Sequence, residues 1–114
     1  MPLSVLNSAL EDATEFKRLR QLLGESRANV RLQVLPDGAP MALATLAQNV
    51  DAPILVVVPR PEDARRLHDQ VSLWSPDPAS VLHFPESETL PFERLVTDPD
   101  TEQQRINVLA RGCF

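Results

Sequence analysis

Residues 53–59, with the sequence Pro-Ile-Leu-Val-Val-Val-Pro, decide the predicted fold. They form a continuous apolar run that is rich in β-branched side chains and bounded by two prolines. Runs of this kind are typical of strands that are buried on both faces, as in the centre of a parallel sheet. Upstream, residues 29–35 alternate apolar and polar side chains, and downstream residues 81–84 form a short apolar segment. The sequence therefore predicts three strands.

Helical patterns separate these three segments. Residues 3–23 contain the first pattern, with Thr14 as a predicted N-cap and Gly24 as the stop. Residues 41–50 and 61–74 contain the next two, and Asp100 and Gln103 predict a capping box that opens the last helix. The predicted buried faces are Phe16, Leu19, Leu22 and Leu23; Leu43, Leu46, Ala47 and Val50; Ala64, Leu67, Val71 and Trp74; and Ile106, Leu109 and Ala110.

The order of the elements predicts the fold class. Strands that alternate with helices are typical of βαβ units, which build a parallel sheet with right-handed crossovers. We therefore predict an α/β fold with a three-layer parallel sheet. The chain ends directly after a helix that would lead to a fourth strand, so we expect a truncated subdomain of a longer protein. Residues 1–25 are predicted to form an N-terminal helical segment, and residues 26–114 the partial α/β domain.

Composition and charge exclude several classes of function. The chain has 114 residues, with 11 basic against 16 acidic residues and a formal net charge of −5. An acidic chain repels phosphate backbones, so we expect no direct binding of nucleic acid. The single cysteine, Cys113, excludes an internal disulfide and a cysteine-based zinc site. Apolar runs are too short to cross a membrane and no secretory signal is present, so we expect a cytoplasmic protein.

The turn after the first predicted strand occupies the place of a P-loop but lacks its chemistry. A P-loop has the pattern G-x-x-x-x-G-K-[ST], whose amides and lysine bind phosphate. The turn here consists of Pro36, Asp37, Gly38, Ala39 and Pro40, and the only lysine of the chain lies elsewhere, in the first helical region. The prolines remove two amide donors, and the carboxylate repels phosphate. We predict a structural turn, which is a degenerate site that binds no nucleotide.

The remaining titratable residues do not form a catalytic or metal-binding pattern. His68 and His83 have no acidic or cysteine residue at metal-ligand spacing, and the nucleophile motif G-x-S-x-G is absent. Glu86, Glu88 and Glu93 lie in a predicted solvated loop, which would not hold two carboxylates at a fixed separation. We therefore predict no catalytic residue, no metal site and no cofactor.

A motif in the same loop carries a family resemblance. Residues 84–93 have the sequence FPESETLPFE, and residues 54–59 and 64–71 have the sequences ILVVVP and ARRLHDQV. Together with Arg105 and Leu109, these segments resemble the N-terminal region of the bacterial transcription-repair coupling factors, the Mfd family, although Ser87 stands where the family usually has tryptophan. The most specific matching residues, for which we expect a structural or interface role, are Glu88, Thr89, Leu90, Pro91, Phe92 and Glu93.

The resemblance implies both a fold and a function. The family's N-terminal module resembles the nucleotide-excision repair subunit UvrB, with a RecA-like (P-loop-NTPase-like) parallel sheet and a degenerate nucleotide site. It recruits the damage-recognition subunit UvrA and restrains the motor of a full-length protein that is an ATP-dependent DNA translocase. Most of the recruiting surface, the motor and the RNA-polymerase-binding domain of the family lie outside this sequence. The implied role is a non-catalytic scaffold in transcription-coupled DNA repair, whose direct partners are the other domains of the parent protein.

Two other functions remain open from the sequence. The order of elements also fits the nucleotide-binding lobe of an active ATPase or helicase, although the turn residues oppose it. A small stand-alone α/β domain that binds a ligand at the carboxyl ends of its strands is the other alternative. Whichever function holds, the truncated parallel sheet would leave an unpaired edge, so we expect self-association of the isolated fragment by edge pairing or by exchange of the C-terminal helix.

Overall fold

Helices make up most of the part of the chain that the structure describes. The computed structural model describes residues 3–25, 29–86 and 99–112. Every region for which the sequence predicts a helix is helical. One-turn 3-10 helices lie at Leu3–Leu6, Pro36–Gly38 and Pro78–Ser80. The α-helices are α1 (Asn7–Glu11), α2 (Thr14–Leu23), α3 (Ala39–Asn49), α4 (Pro61–Trp74) and α5 (Pro99–Gly112).

The predicted parallel sheet does not appear in the described residues, so the α/β, RecA-like fold class is wrong. Residues 29–35, 53–58 and 81–86 connect helices, and none of these segments forms a β-strand. Residues 54–58 make no main-chain hydrogen bond to any other described residue. A helix bonds its own main chain locally, whereas a strand requires a neighbour that supplies the partner groups. The observed architecture is a layer of helices joined by unpaired apolar segments.

The helices of the N-terminal half and α4 pack into one layer. α3 contacts both α1 and α4, and the 3-10 helix Leu3–Leu6 contacts α4. The apolar core is small: among the described residues, Phe16 and Leu19 of α2 and Ala44 of α3 are its buried members. The N-terminal segment therefore belongs to the same packed layer as the helices that follow it.

Buried polar groups fix the relative positions of these helices. The side-chain amide of Asn7 is buried and donates a hydrogen bond to the carbonyl oxygen of Trp74 at 3.0 Å. Asn49 donates to the carboxylate of Glu11 at 3.3 Å, which joins the end of α3 to the end of α1. Thr45 is fully buried and bonds within α3. Because a buried amide without a partner is costly, the Asn7 bond specifies where α1 meets α4.

The observed bounds of α4 agree with the prediction. Pro61 occupies the first turn, where the amide it lacks would have no partner within the helix. Asp63 accepts hydrogen bonds from Arg60 and from Arg66, each at 2.9 Å. Its negative charge also lies near the positive end of the helix dipole. The start of α4 is therefore well defined by local chemistry alone.

The predicted caps and buried faces are only partly right. Ala13, not Thr14, precedes α2 as its N-cap, and no side chain caps that helix. On α3 the buried side chains are Pro40, Ala44 and Thr45. The predicted face of α3 is half-buried at Leu43, Leu46 and Val50 and exposed at Ala47. The prediction oriented α3 toward a sheet, whereas its close contacts are with two other helices.

Arginine side chains attach α5 to the preceding chain. The guanidinium carbon of Arg105 lies 4.2 Å from the centroid of the Phe84 ring, and the same group donates to the carbonyl oxygen of Pro85. Arg111 donates to the carbonyl oxygen of Ala79 at 3.2 Å. α5 begins at Pro99, so Asp100 lies within the helix and not at the predicted N-cap.

The chain exposes more surface than a compact domain of its size. Its accessible surface is 9213 Å², whereas a folded monomer of 12.7 kDa exposes about 6,200 Å². The radius of gyration is 16.2 Å, against about 13 Å for a compact domain of this length.

Candidate functional site

The turn at the P-loop position is the 3-10 helix Pro36–Gly38, which leads directly into α3. Its amides are already used or missing. The amide of Gly38 donates to the carbonyl oxygen of Leu35 at 2.8 Å, and the amide of Ala39 donates to that of Pro36. A phosphate-binding loop requires several amides that point toward the ligand. This turn directs two of its amides back into the chain instead.

The charge and shape of this turn also oppose phosphate binding. Asp37 is exposed just before the N-terminus of α3, where a phosphate would have to lie. Pro40 is buried in the first turn of that helix and has no amide hydrogen. Of the predicted turn residues, Pro36, Asp37 and Gly38 thus form the turn, whereas Ala39 and Pro40 begin α3.

A cleft of about 550 Å³ lies between α4, residues 81–83 and α5. The rings of His68 and His83 line it, with their centroids 5.9 Å apart. Nε2 of His68 is 3.0 Å from the carbonyl oxygen of Val81, and Nδ1 is 3.4 Å from the carboxylate of Asp69. On the α5 side, the polar lining residues are Gln104, Asn107 and Arg111.

The electrostatics of this cleft favour a neutral His83. Burial lowers the pKa of His83 from its usual 6.5, and repulsion from His68 and Arg65 lowers it further, whereas Asp69 acts in the opposite direction. Within the described ranges, no group of three or more His, Cys, Asp or Glu residues is placed to hold a metal ion. The cleft therefore offers hydrogen-bonding groups rather than an evident catalytic constellation.

The family motif at residues 88–93 lies outside the described residues, as does Cys113. Of the described residues 84–86 before the motif, Phe84 and Pro85 contact Arg105. The sequence does not predict this contact. A cation–π pair between distant residues leaves no periodic pattern in a sequence, so composition and spacing could not have revealed it.

The PILVVVP segment, residues 53–59, differs most from its prediction. Leu55 is 88% and Val57 83% exposed, whereas Ile54 is 38% and Val56 45% exposed. This alternation places Leu55 and Val57 on one face and Ile54 and Val56 on the other, as in an extended chain. The side chains predicted to be buried on both faces are therefore accessible to a partner. A buried strand and an interface strand have the same composition, so the sequence could not distinguish them.

Comparisons with known proteins give no match for this chain, whether with family models, curated proteins or solved structures. In the part of the chain that the structure describes, no helix is both long and apolar enough to cross a bilayer. The sequence resemblance, the chemistry of the turn and the exposure of the PILVVVP segment are therefore the basis for proposing a function.

Proposed function

We propose that the chain is a non-catalytic interaction module of a transcription-repair coupling factor, acting in transcription-coupled nucleotide excision repair. Its direct partners in this role are other domains of the parent protein, in the cytoplasm. UvrA and RNA polymerase are engaged only by the full-length protein. The single observation that carries the interaction role is the exposure of the PILVVVP segment.

The exposed apolar surface favours an interaction role over a stand-alone one. Five consecutive apolar side chains, residues 54–58, lie between the two prolines. Monomeric proteins rarely leave a contiguous apolar patch of this kind in water, and such patches commonly mark protein–protein contacts. The accessible surface of the chain, which is about 3,000 Å² larger than that of a compact monomer of the same mass, is also consistent with an interaction role.

The turn before α3 supports the non-catalytic part of the proposal. The amides of Gly38 and Ala39 bond within the turn, and Asp37 adds a negative charge where a phosphate would bind. An ATPase lobe would need free amides and a lysine at this position. The alternative of an active nucleotide-binding lobe is therefore disfavoured by the local chemistry.

Two of the segments that carry the family resemblance contact each other. Phe84 begins the segment with the specific motif, and Arg105 belongs to the helix that follows it. The two side chains stack with 4.2 Å between the guanidinium carbon and the ring centroid. Phe84 and Arg105, which both belong to the resemblance, are thus in direct contact.

Isothermal titration calorimetry with magnesium and ATP tests the non-catalytic role. We expect no saturable heat from the 114-residue chain, with a P-loop ATPase as the positive control. Gly38→Ala is a suitable matched variant, because an added Cβ would meet Val34 at an ordinary contact distance of 3.4 Å. Saturable binding that Gly38→Ala abolishes would contradict the proposal and favour the active lobe.

A second assay tests the family assignment. The chain is added to a purified Mfd-family translocase that lacks its own N-terminal module. We expect the ATPase rate of the translocase to fall as the chain is added, because the implied role includes restraint of the motor. An unchanged rate at saturating chain would contradict the family assignment and leave the calorimetric result unaffected.

A further inference from the structure

The PILVVVP segment is symmetric about its central residue, Val56. Pro53 and Pro59 lie three residues away on either side. Leu55 and Val57 flank the centre, and they are the two most exposed side chains of the segment. In an antiparallel pair of two such segments centred on Val56, Pro53 of each copy would lie opposite Pro59 of the other copy. The segment is therefore complementary to a second copy of itself.

The main chain of this segment is available for pairing. Residues 54–58 make no main-chain hydrogen bond to any other described residue. An extended segment with free N–H and C=O groups can accept another strand, and its main-chain bonds supply affinity. Pro53 and Pro59 have no amide hydrogen, so they limit the pairing to the five residues between them.

Charge selects the antiparallel direction over the parallel one. Asp51 lies before the segment and Arg60 directly after it, and both are exposed. No other charged residue lies between positions 51 and 60. Antiparallel pairing about Val56 places Arg60 of one copy opposite Ala52 of the other, next to Asp51, so charges of opposite sign share each end of the pair. Parallel pairing in register would instead place like charges side by side, which is destabilising.

The surface of the chain is large enough to supply such an interface. Stable interfaces bury about 1,600 Å² in total, or about 800 Å² from each partner. The chain exposes 9213 Å², about 3,000 Å² more than a compact monomer of its mass. The exposed side chains of Ile54, Leu55, Val56 and Val57 are part of the surface that such a pair would bury.

We propose that two copies of the chain form a symmetric dimer by antiparallel pairing of their PILVVVP segments about Val56. In this register Leu55 of each copy lies opposite Val57 of the other, which covers the two most exposed side chains of the segment. Ile54 lies opposite Val58 on the other face. The dimer uses the same exposed segment that carries the interaction role of the proposed function, but it does not depend on the family resemblance. Sedimentation and cross-linking test the dimer, whereas ATP calorimetry and the translocase assay test the proposed function.

Sedimentation equilibrium of the 114-residue chain over a wide range of concentrations tests the dimer. We expect the average mass to rise from monomer toward dimer. Val57→Lys places a charge against apolar side chains at the centre of the pair, and we expect it to raise the dissociation constant at least about tenfold. Leu73→Lys is the matched control, because Leu73 is also an exposed apolar side chain but lies on α4. A monomer at all concentrations, or equal weakening by both variants, would overturn the proposal.

Disulfide trapping tests the register, in a Cys113→Ser background. Val56 lies opposite itself in the proposed pair, with Cβ atoms about 5 Å apart, so Val56→Cys should cross-link rapidly under mild oxidation. Ile54→Cys is the matched control in the same segment. Two copies of Ile54 are separated by four residues along the paired strands, about 13 Å, and should not cross-link. Equal cross-linking of both variants, or none in either, would overturn the register.

Discussion

The helical layer and the PILVVVP segment contain similar apolar side chains in opposite environments. Leu19 on α2 is 8% exposed and Leu55 in the segment is 88% exposed. The helices complete their main-chain hydrogen bonds internally and need neighbours only for one face. The segment has strong β propensity but no neighbouring strand to bond with. The comparison shows that a strand-forming sequence specifies a requirement for a partner, whereas a helix-forming sequence specifies the structure itself.

The largest expected effect comes from truncating the same side chain in both regions. Leu19→Ala should lower the free energy of unfolding by about 3 kcal/mol, because it leaves a cavity in a small core. Leu55→Ala should change it by less than about 0.5 kcal/mol, because the side chain is exposed. Urea denaturation of both variants at low protein concentration measures the difference. A large cost for Leu55→Ala would show that the segment is buried within the monomer.

The buried amide of Asn7 provides the next test. Asn7→Ala should cost about 2 kcal/mol, because it leaves the Trp74 carbonyl oxygen without its partner and opens a small cavity. Ser8→Ala is the control, since Ser8 is exposed and bonds only to the nearby carbonyl oxygen of Val5. Thermal unfolding followed by circular dichroism compares the two. Equal midpoints would mean that the Asn7 bond does not hold the helical layer together.

A third prediction concerns the contacts by which Arg105 attaches α5 to residues 81–86. Arg105→Ala should cost about 1 kcal/mol, because it removes the stack on Phe84 and the bond to Pro85. Hydrogen exchange should show faster exchange in α5 and little change in α1 to α4. Arg105→Lys keeps the charge but not the planar stack, so it should restore only part of the protection. Unchanged exchange in α5 would show that other contacts hold that helix.

His83 gives the smallest expected effect, which appears as a dependence on pH. Its pKa is lowered in the folded chain by burial and by His68 and Arg65, with Asp69 opposing; Arg111 lines the same cleft from α5. Near pH 6.5, His83 of the unfolded chain therefore binds a proton that His83 of the folded chain does not bind. The free energy of unfolding should fall as pH drops through 6.5 and level off below the folded pKa.

Denaturation at several pH values measures this dependence. His83→Gln should flatten it, whereas His68→Gln should leave part of the slope because burial still acts on His83. A slope that is unchanged in His83→Gln would assign the dependence to other groups.

The sequence predicts the helices well because their signals are local. Pro61 and the acidic residues after it mark the start of α4, and Ser75 and Pro76 mark its end. The three predicted strands are wrong because strand formation depends on contacts between distant residues, which the periodicity of one segment does not contain. The observed buried face of α3 differs from the predicted one for the same reason. The prediction places Leu43 and Leu46 against a sheet that the described residues do not form.

The candidate sites also differ in whether they depend on local sequence or on contacts between distant residues. The turn at residues 36–40 is predictable, because proline, glycine and aspartate act on the main chain next to them. The cleft between His68 and His83 is not, because it requires α4, residues 81–83 and α5 to meet. The stack of Arg105 on Phe84 likewise depends on the tertiary arrangement.

The hydrogen bond between Asn7 and Trp74 also has a consequence for the newly synthesised chain. Its two residues are 67 positions apart. At about 5 to 20 residues per second, a ribosome needs about 3 to 13 seconds to make the chain between them. Throughout that time the first helix lacks the carbonyl oxygen that its buried amide requires, and the apolar PILVVVP segment is made before that partner is available. The helical layer therefore closes late in synthesis, and the unpaired segment is exposed to neighbouring chains before the layer is complete.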